Sequence, residues 1–505
     1  MSLNMYLGET RSQSISMNSI CDETIHGMER AIRAIDTFRG STELQGKSYD
    51  SAKNFMSHTY RPLANGIIYL CEELVRQNNG YPEQFASEVA ATDVVEQEVR
   101  EQIQEINRLI LQTEDLSGLI PFLNPTIGIL RDIKLRLEDK LNRLYTFNTA
   151  TASNYETAIQ LISNVAAGIA EIQGGNGFNR NNGTFSTEGM NLDWVRNLQE
   201  IRAHAAYPDY LRENPDEIEK VITILMYEES NPEYVQQTDE FLEPLAEQDI
   251  VEIKHSMYTA EEPYRTLSLR YLDQFEIDGT NDNAVFRPSE NTISFNVADD
   301  RVNPRGKYYT FFHEIAHAID YYSAQENGIE GYYSDSFTTN GNTLTNHMYD
   351  DAERNLRSEL QRELSAEEYD HLNYAEKTQM ETNIIQNLLN RDNYFETLSE
   401  SERDLQMIIE VEYKDNLDGP NHNVSSDVYG GITGNSIKGS YGHRDDYWVN
   451  SDGSVKREPN REGFAGFYGR MMTPDDETRD AGLESINNYL PDSRRHMDEM
   501  LESIK

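Results

Sequence analysis

Apolar positions recur at helical spacing through the first 160 residues. Ile25, Met28, Ile32 and Ile35 stand 3, 4 and 3 apart, and Val95, Val99, Ile103, Ile106 and Ile110 stand 4, 4, 3 and 4 apart. Leu130, Ile133, Leu137, Leu141 and Leu144 follow at 3, 4, 4 and 3. Each set draws one narrow apolar stripe along a helix, with Glu, Arg and Lys opposite. Stripes this narrow suit long antiparallel hairpins or a rod-like bundle. The clustered Gly and Asn of 174–185 predict a turn or short hairpin, and 192–204 predicts a further helix.

Residues 205–280 mix helical pattern with Pro and Asn breaks, which predicts a connector and the opening helices of a second domain. From about 281 the texture changes. Asn283–Phe286 and Thr292–Val297 flank Arg-Pro-Ser-Glu-Asn and predict strand, turn, strand. Thr292–Val297 is the expected edge strand, on which an extended peptide would add by β-pairing. Residues 311–323 predict a helix and 348–415 further Glu-rich helix. Gly430, Gly431, Gly434, Gly439 and Gly442 predict a loop-rich stretch, followed by helices from about Arg461 and near the C-terminus. The expected fold is multidomain: an all-α elongated rod over 1–205, a connector over 206–280, and an α+β domain over 281–505 with a helical insertion at 325–420. No internal repeat is visible.

Charge narrows the functional classes. The 505 residues carry 44 Lys and Arg against 88 Asp and Glu, a formal net charge of −44. Such a chain repels phosphate backbones and anionic lipid heads, which argues against nucleic-acid and peripheral-membrane binding. Mean hydropathy is low at −0.71, yet 30 Tyr and an aromatic share of 10% argue against disorder. Cys21 and Cys71 are too few for a disulfide framework or a thiolate metal site, and they read equally as one disulfide or two buried thiols. No run of 18 apolar residues predicts a spanning helix. The N-terminus lacks a basic region followed by an apolar one, so no conventional secretory signal is expected.

Glu43-Leu44-Gln45-Gly46-Lys47 falls at the turn between the first two predicted helices. With about 200 helical residues around it and the closing Asn182-Gly-Thr-Phe185…Leu192-Asp193-Trp194, it resembles the LXG domain of polymorphic toxins exported by the type VII secretion system of Gram-positive bacteria. That resemblance covers about 1–205. It implies export by a signal-peptide-independent route, small helical export partners that bind 1–205, a toxin domain downstream, and an immunity protein.

The sharpest chemical signal is His313-Glu314-Ile315-Ala316-His317, within YYTFFHEIAHAIDYY. Two His at i and i+4 share one helix face, so both imidazoles reach one Zn²⁺. Glu314 stands beside them, placed to take a proton from water. Apolar flanks at Phe311, Phe312, Ile315, Ala316 and Ile319 suit a buried helix better than a solvated one. A third ligand is needed. Asp320 and Ser323 stand where a metzincin would have Gly and His, which excludes that subclass. Among downstream acids Glu326, Glu330, Glu353, Glu359 and many others remain open.

A resemblance selects among them. Glu462-Gly-Phe464-Ala465-Gly-Phe467-Tyr468 is similar to the helix that carries the third zinc ligand in anthrax-lethal-factor-like gluzincins, and His313-Glu-x-x-His317-Ala-x-Asp320 is similar to their zinc helix. Related metallopeptidase domains of phage head proteins and toxins carry a G-H-x-x-x-Y-W element, which stands here as Gly442-His443-Arg-Asp-Asp-Tyr447-Trp448. The resemblance implies a zincin-like fold binding one Zn²⁺ through His313, His317 and Glu462, with Glu314 as the catalytic base. It departs from the family in the long stretch between His317 and Glu462. Asp320 reads either as the acceptor that orients a ligand imidazole or as an ordinary surface charge. Tyr441, His443 and Tyr447 are candidates for stabilising the oxyanion; Ser440-Tyr441-Gly442 echoes a tyrosine setting in lethal factor, while the toxin and phage relatives favour His443 and Tyr447.

The other histidines, including His347 and His496, lack partners at metal-ligand spacing and read as surface or core residues. Asp350-Asp351-Ala-Glu353 and Asp475-Asp476-Glu477 read as solvated faces or helix starts. The expected function is a secreted toxin with a C-terminal zinc endopeptidase that acts on a protein or peptide substrate. The alternatives are a non-catalytic binding or adhesion protein on a zincin scaffold, and an intracellular or phage-associated peptidase. The acidic surroundings predict a preference for basic or neutral peptides.

Overall fold

The computed structural model describes residues 2–117, 124–175, 177–180, 182–278, 284–389, 398–448 and 459–504. Asn283 of the predicted first strand and 390–397 of the predicted insertion lie outside these residues. The chain divides into two compact units, Met1–Pro208 and Asp209–Lys505. Among the described residues, no helix is long and apolar enough to cross a membrane.

In the first unit the predicted stripes are helices: α1 (Leu7–Gly40), α2 (Lys47–His58), α3 (Tyr60–Glu88), α4 (Glu96–Ser117), α5 (Asn124–Ala150), α6 (Glu156–Gln173) and α7 (Asp193–Ala206). Leu7, Phe85, Val94, Val99, Leu144 and Phe147 close one core, and Leu161, Val165, Trp194 and Leu198 a second. The turn between α1 and α2 ends on Gly46, whose φ of 108° is open to glycine and strained for other residues. A two-residue ladder joins β1 (Asn4–Met5) to β2 (Val94–Val95), too short to show as a sequence period. The Gly- and Asn-rich segment forms the hairpin of β3 (Phe178–Asn179) and β4 (Thr184–Phe185). Cys21 and Cys71 are buried free thiols.

The second unit opens on α8 (Pro208–Glu213), whose first residue closes the first unit, and continues through α9 (Ile218–Ser230), α10 (Pro232–Leu242), α11 (Glu247–Thr259) and α12 (Tyr264–Arg270). The segment read as a connector is built into this unit. Asp249 of α11 takes the Arg301 guanidinium at 2.6 Å on each oxygen, and Ser268 of α12 hydrogen-bonds Tyr468 at 2.8 Å.

A three-stranded sheet follows, from β5 (Glu276–Ile277), β6 (Val285–Arg287) and β7 (Thr292–Ser294) in the order β5-β7-β6. This corrects the edge-strand expectation. β7 is the central strand, parallel to β5 and antiparallel to β6. β6 is the edge beside the site, and β5 was too short to read as a strand.

Then come α13 (Val297–Asp300), α14 (Tyr309–Glu326), the hairpin of β8 (Thr338–Thr339) and β9 (Asn342–Thr343), α15 (Leu344–Glu363), α16 (Tyr374–Leu389) and α17 (Glu400–Asn416). The chain ends with α18 (Asn423–Thr433), α19 (Asp445–Trp448), α20 (Pro459–Met471), α21 (Asp476–Tyr489) and α22 (Pro491–Ser503). One further expectation fails. Gly430 and Gly431 lie within α18, an 11-residue helix with every residue buried, so glycine marks close packing here and not a loop. A Cβ on Gly431 would stand 2.8 Å from Pro459 Cγ.

The expected helical insertion is helical, as α15, α16 and α17, and it packs on the rest of the unit. Met348 of α15 packs on Gly463 of α20, and Asp351 receives the amide and hydroxyl of Ser493, both at 2.8 Å, at the start of α22. Asp351 is therefore a buried helix cap, not part of a solvated face. Asp475 is the expected helix start, accepting the Thr478 amide at 3.3 Å.

Candidate metal centre

The N-cap position of α14 is Tyr308, which makes no side-chain cap bond, and a residue elsewhere caps the helix. Asp300 of α13 accepts the amides of Thr310 at 3.1 Å and Phe311 at 2.9 Å. It thereby satisfies donors that a helix start leaves unpaired. The rest of α14 is held by burial: Phe311, Phe312, Ile315, Ala316 and Ala318 are fully enclosed. Burying each large side chain is worth roughly 2–3 kcal/mol, which fixes the helix as a rigid platform.

Helix α20 lies against α14 through Gly466 and Gly469, while Gly463 one turn earlier faces Met348 of α15. A Cβ on Gly469 would stand 3.2 Å from the His313 amide nitrogen and 3.3 Å from the Tyr309 carbonyl oxygen. That close approach brings Glu462 to the histidine pair. Glu462 Oε2 lies 3.2 Å from His313 Nε2, and Glu462 Oε1 lies 3.5 Å from His317 Nε2. The three ligand atoms fall within 4.8 Å of one another. For bonds of 2.0–2.1 Å, neighbouring ligands of a tetrahedral zinc stand about 3.3 Å apart. The spacing and the nitrogen–oxygen donor set both fit such an ion.

The electrostatics are those of a buried cluster. Burial opposes a charge on Glu462, but the charges and hydrogen bonds of His317 and His313 hold it well below the usual carboxylate range. Burial raises Glu314, with the histidines and the Phe286 backbone opposing. The Phe286 contact joins the base to edge strand β6.

The G-H-x-x-x-Y-W element packs beside the cluster. The Tyr447 hydroxyl donates to Glu462 Oε1. His443 stacks on Tyr447 with ring centroids 4.0 Å apart, and the buried Trp448 meets both rings edge-on. Asp427 of α18 accepts from the His443 backbone amide at 2.7 Å and pairs with its Nδ1 at 2.8 Å. Burial disfavours a charged imidazole there, but the hydrogen bond and charge of Asp427 prevail and raise His443 to about 9. His443 Nε2 makes no hydrogen bond among the described residues. Tyr441 stands apart: it lines a neighbouring cavity, and no hydrogen bond among the described residues ties it to the cluster.

Asp320 is fully buried, which rules out the surface-charge reading. Its oxygens receive the Ser334 amide at 2.7 Å and hydroxyl at 2.6 Å. Asn460 and Arg461 then bond the neighbouring Asp335 at 2.6 and 2.7 Å. Asp320 thus ties the 333–335 turn, and through it the start of α20 beside Glu462, to the zinc helix. Burial raises it to about 6.

Sequence reasoning missed Asp427, Asp300 and the Phe286 contact, because nothing in spacing links them to the motifs. The glycine stripe of α20 was a readable signal of close helix packing.

No family model matches the chain, and no solved structure matches it. Over 208 residues, 41% of this chain, it is 50% identical to a protein named "Toxin" from Bacillus cereus. The chain matches about 38% of that relative's length. A substantial part of this chain is therefore related to a bacterial toxin.

Proposed function

We propose that the chain is a toxin whose second unit is a zinc-dependent endopeptidase. The observation that carries this reading is the convergence of His313, His317 and Glu462 from two packed helices, with the carboxylate of Glu314 buried next to them. His313, His317 and Glu462 would hold the ion. A zinc ion bound there supplies Lewis acidity to a substrate carbonyl and acidifies a water.

This chain's residues supply the remaining steps. Glu314 accepts the proton of the attacking water and returns it to the leaving amine. Tyr447 orients Glu462 through its hydroxyl. Asp427 occupies Nδ1 of His443, leaving the Nε2 hydrogen to donate to the oxyanion as it develops. Edge strand β6 offers its free side to an extended peptide by β-pairing. An intact, buried Glu314 argues against a scaffold retained for binding alone.

The first unit serves, on this reading, as the export and partner-binding part, carried by small helical partners of a type VII-like route, and an immunity protein covers the second unit in the producing cell. The helical order of the described residues of the first unit supports the export part, and the toxin relative supports the toxin reading. The deciding experiment compares wild type and Glu314→Gln for zinc content and for toxicity in a permissive cell. The expected outcome is equal zinc with toxicity lost; equal zinc and equal toxicity would remove the peptidase.

A further inference from the structure

A cavity of about 420 Å³ lies at the N-terminal end of the zinc helix. Three of its lining residues adjoin elements of the candidate site in sequence. Thr310 precedes His313 by one turn on the same face of α14, Gly442 precedes His443, and Ala284 adjoins edge strand β6. Arg305 lines it as well.

Arg305 is unusual in a chain of net charge −44. Its guanidinium bonds only neutral groups, Asn303 Oδ1 at 3.3 Å and Thr310 Oγ1 at 3.2 Å, and makes no ion pair among the described residues. It lies over the Tyr309 ring at 4.8 Å, with the buried Arg470 guanidinium 5.2 Å from the same ring. Arg470 also lacks a carboxylate, bonding the carbonyls of Arg305, Thr478 and Pro420 and the side chain of Asn423. Two guanidiniums without a carboxylate partner among the described residues therefore flank the Tyr309 ring, and one of them, Arg305, lines the cavity. Of the acids in its wall, Asp300 is buried and taken up by the first amides of α14 and by Asn303 at 2.7 Å. Asp299 is exposed to solvent on the rim, where water screens its charge.

We propose that this cavity is a specificity pocket in which Arg305 binds a carboxylate side chain of the substrate, Asp or Glu, next to the bond that is cut. The assignment rests on the peptidase reading and reverses the preference for basic or neutral peptides that composition alone suggests. A guanidinium offers paired donors that match a carboxylate, and burial strengthens the pair. A basic side chain in the same place would face the like charge of Arg305.

The test is cleavage of a random-sequence peptide library by the zinc-loaded full chain, with Glu314→Gln as the blank. Wild type should enrich Asp and Glu at one position flanking the cut. Matched peptides with Glu or Gln there should differ at least tenfold in kcat/KM, a comparison that needs no variant. Arg305→Gln should shrink that ratio about tenfold while zinc content holds, and Arg305→Glu should move the preference to Lys and Arg. Cleavage with equal rates for Glu and Gln peptides, or an acidic preference that survives Arg305→Gln, overturns the pocket assignment alone. A zinc-loaded wild type that cuts no peptide overturns the peptidase reading, and the pocket falls with it.

Discussion

Gly469 packs against the backbone of His313 so closely that a single methyl at 469 would stand 3.2 Å from the His313 amide nitrogen. Backbone cannot swing aside as a side chain does, so the contact sets the distance between the two helices that supply the metal ligands. Gly469→Val should force them apart at a cost of about 1–3 kcal/mol, as overpacking in a core does. The expected result is a lower melting temperature and zinc affinity weakened at least tenfold, read by competition with a chelator. Unchanged affinity would mean that the ligand geometry tolerates the shift.

The ring stack of His443 on Tyr447 predicts a separation of metal binding from turnover. Tyr447→Phe and His443→Ala should each keep stoichiometric zinc and lower turnover by about 10²-fold, the scale of removing one oxyanion donor. Asp427→Asn should resemble His443→Ala, because it frees the imidazole that Asp427 holds at 2.8 Å. Full turnover in all three would take this element out of the chemistry.

His496 gives a pH dependence of known sign. It is buried, and both ring nitrogens lack partners. Its ring centroid lies 4.8 Å from that of His347. Burial first, and then His347, lower it to about 4 against the opposing charge of Glu499. The unfolded chain takes up this proton near pH 6.5, whereas the folded chain resists it until about pH 4. The stability that depends on a neutral His496 is complete above pH 6.5 and is lost as the pH falls through that window. Denaturant midpoints measured at pH 7.5 and 5 should therefore drop more in wild type than in His496→Leu. Equal drops would place the acid sensitivity elsewhere.

Cys71 should be inert while the first unit is folded. Burial and the neighbouring Cys21 push its thiol up to about 11, so the thiolate at pH 8 is about a hundredfold scarcer than for a free cysteine. Iodoacetamide labelling followed by mass spectrometry should be slow in buffer and rapid in denaturant. Rapid labelling of native protein would show that the helix pair opens.

How far the chain could be read from its letters depended on period length. The helices of the first unit and α14 repeat an apolar pattern over several turns, and they stand where the pattern put them. β5 and the β1–β2 ladder are two residues long, below any period, so β7 was taken for an edge. Gly430 and Gly431 were misread because glycine serves loops and close packing alike, and only a neighbour such as Trp448 tells them apart. At the site, His313, Glu314 and His317 announce themselves by an i, i+4 spacing that one helix enforces. Glu462 came from a resemblance, since no local rule selects one acid among 88 Asp and Glu. Asp427 and Arg305 act through tertiary neighbours and leave no local mark.

His313 and Glu462 stand 149 positions apart, on helices α14 and α20. A ribosome adds residue 462 only 149 positions after residue 313. Until then the two histidines lack their carboxylate, and Gly469 is not there to seat one helix on the other. A product truncated between α14 and α20 therefore carries the histidine pair without its carboxylate partner.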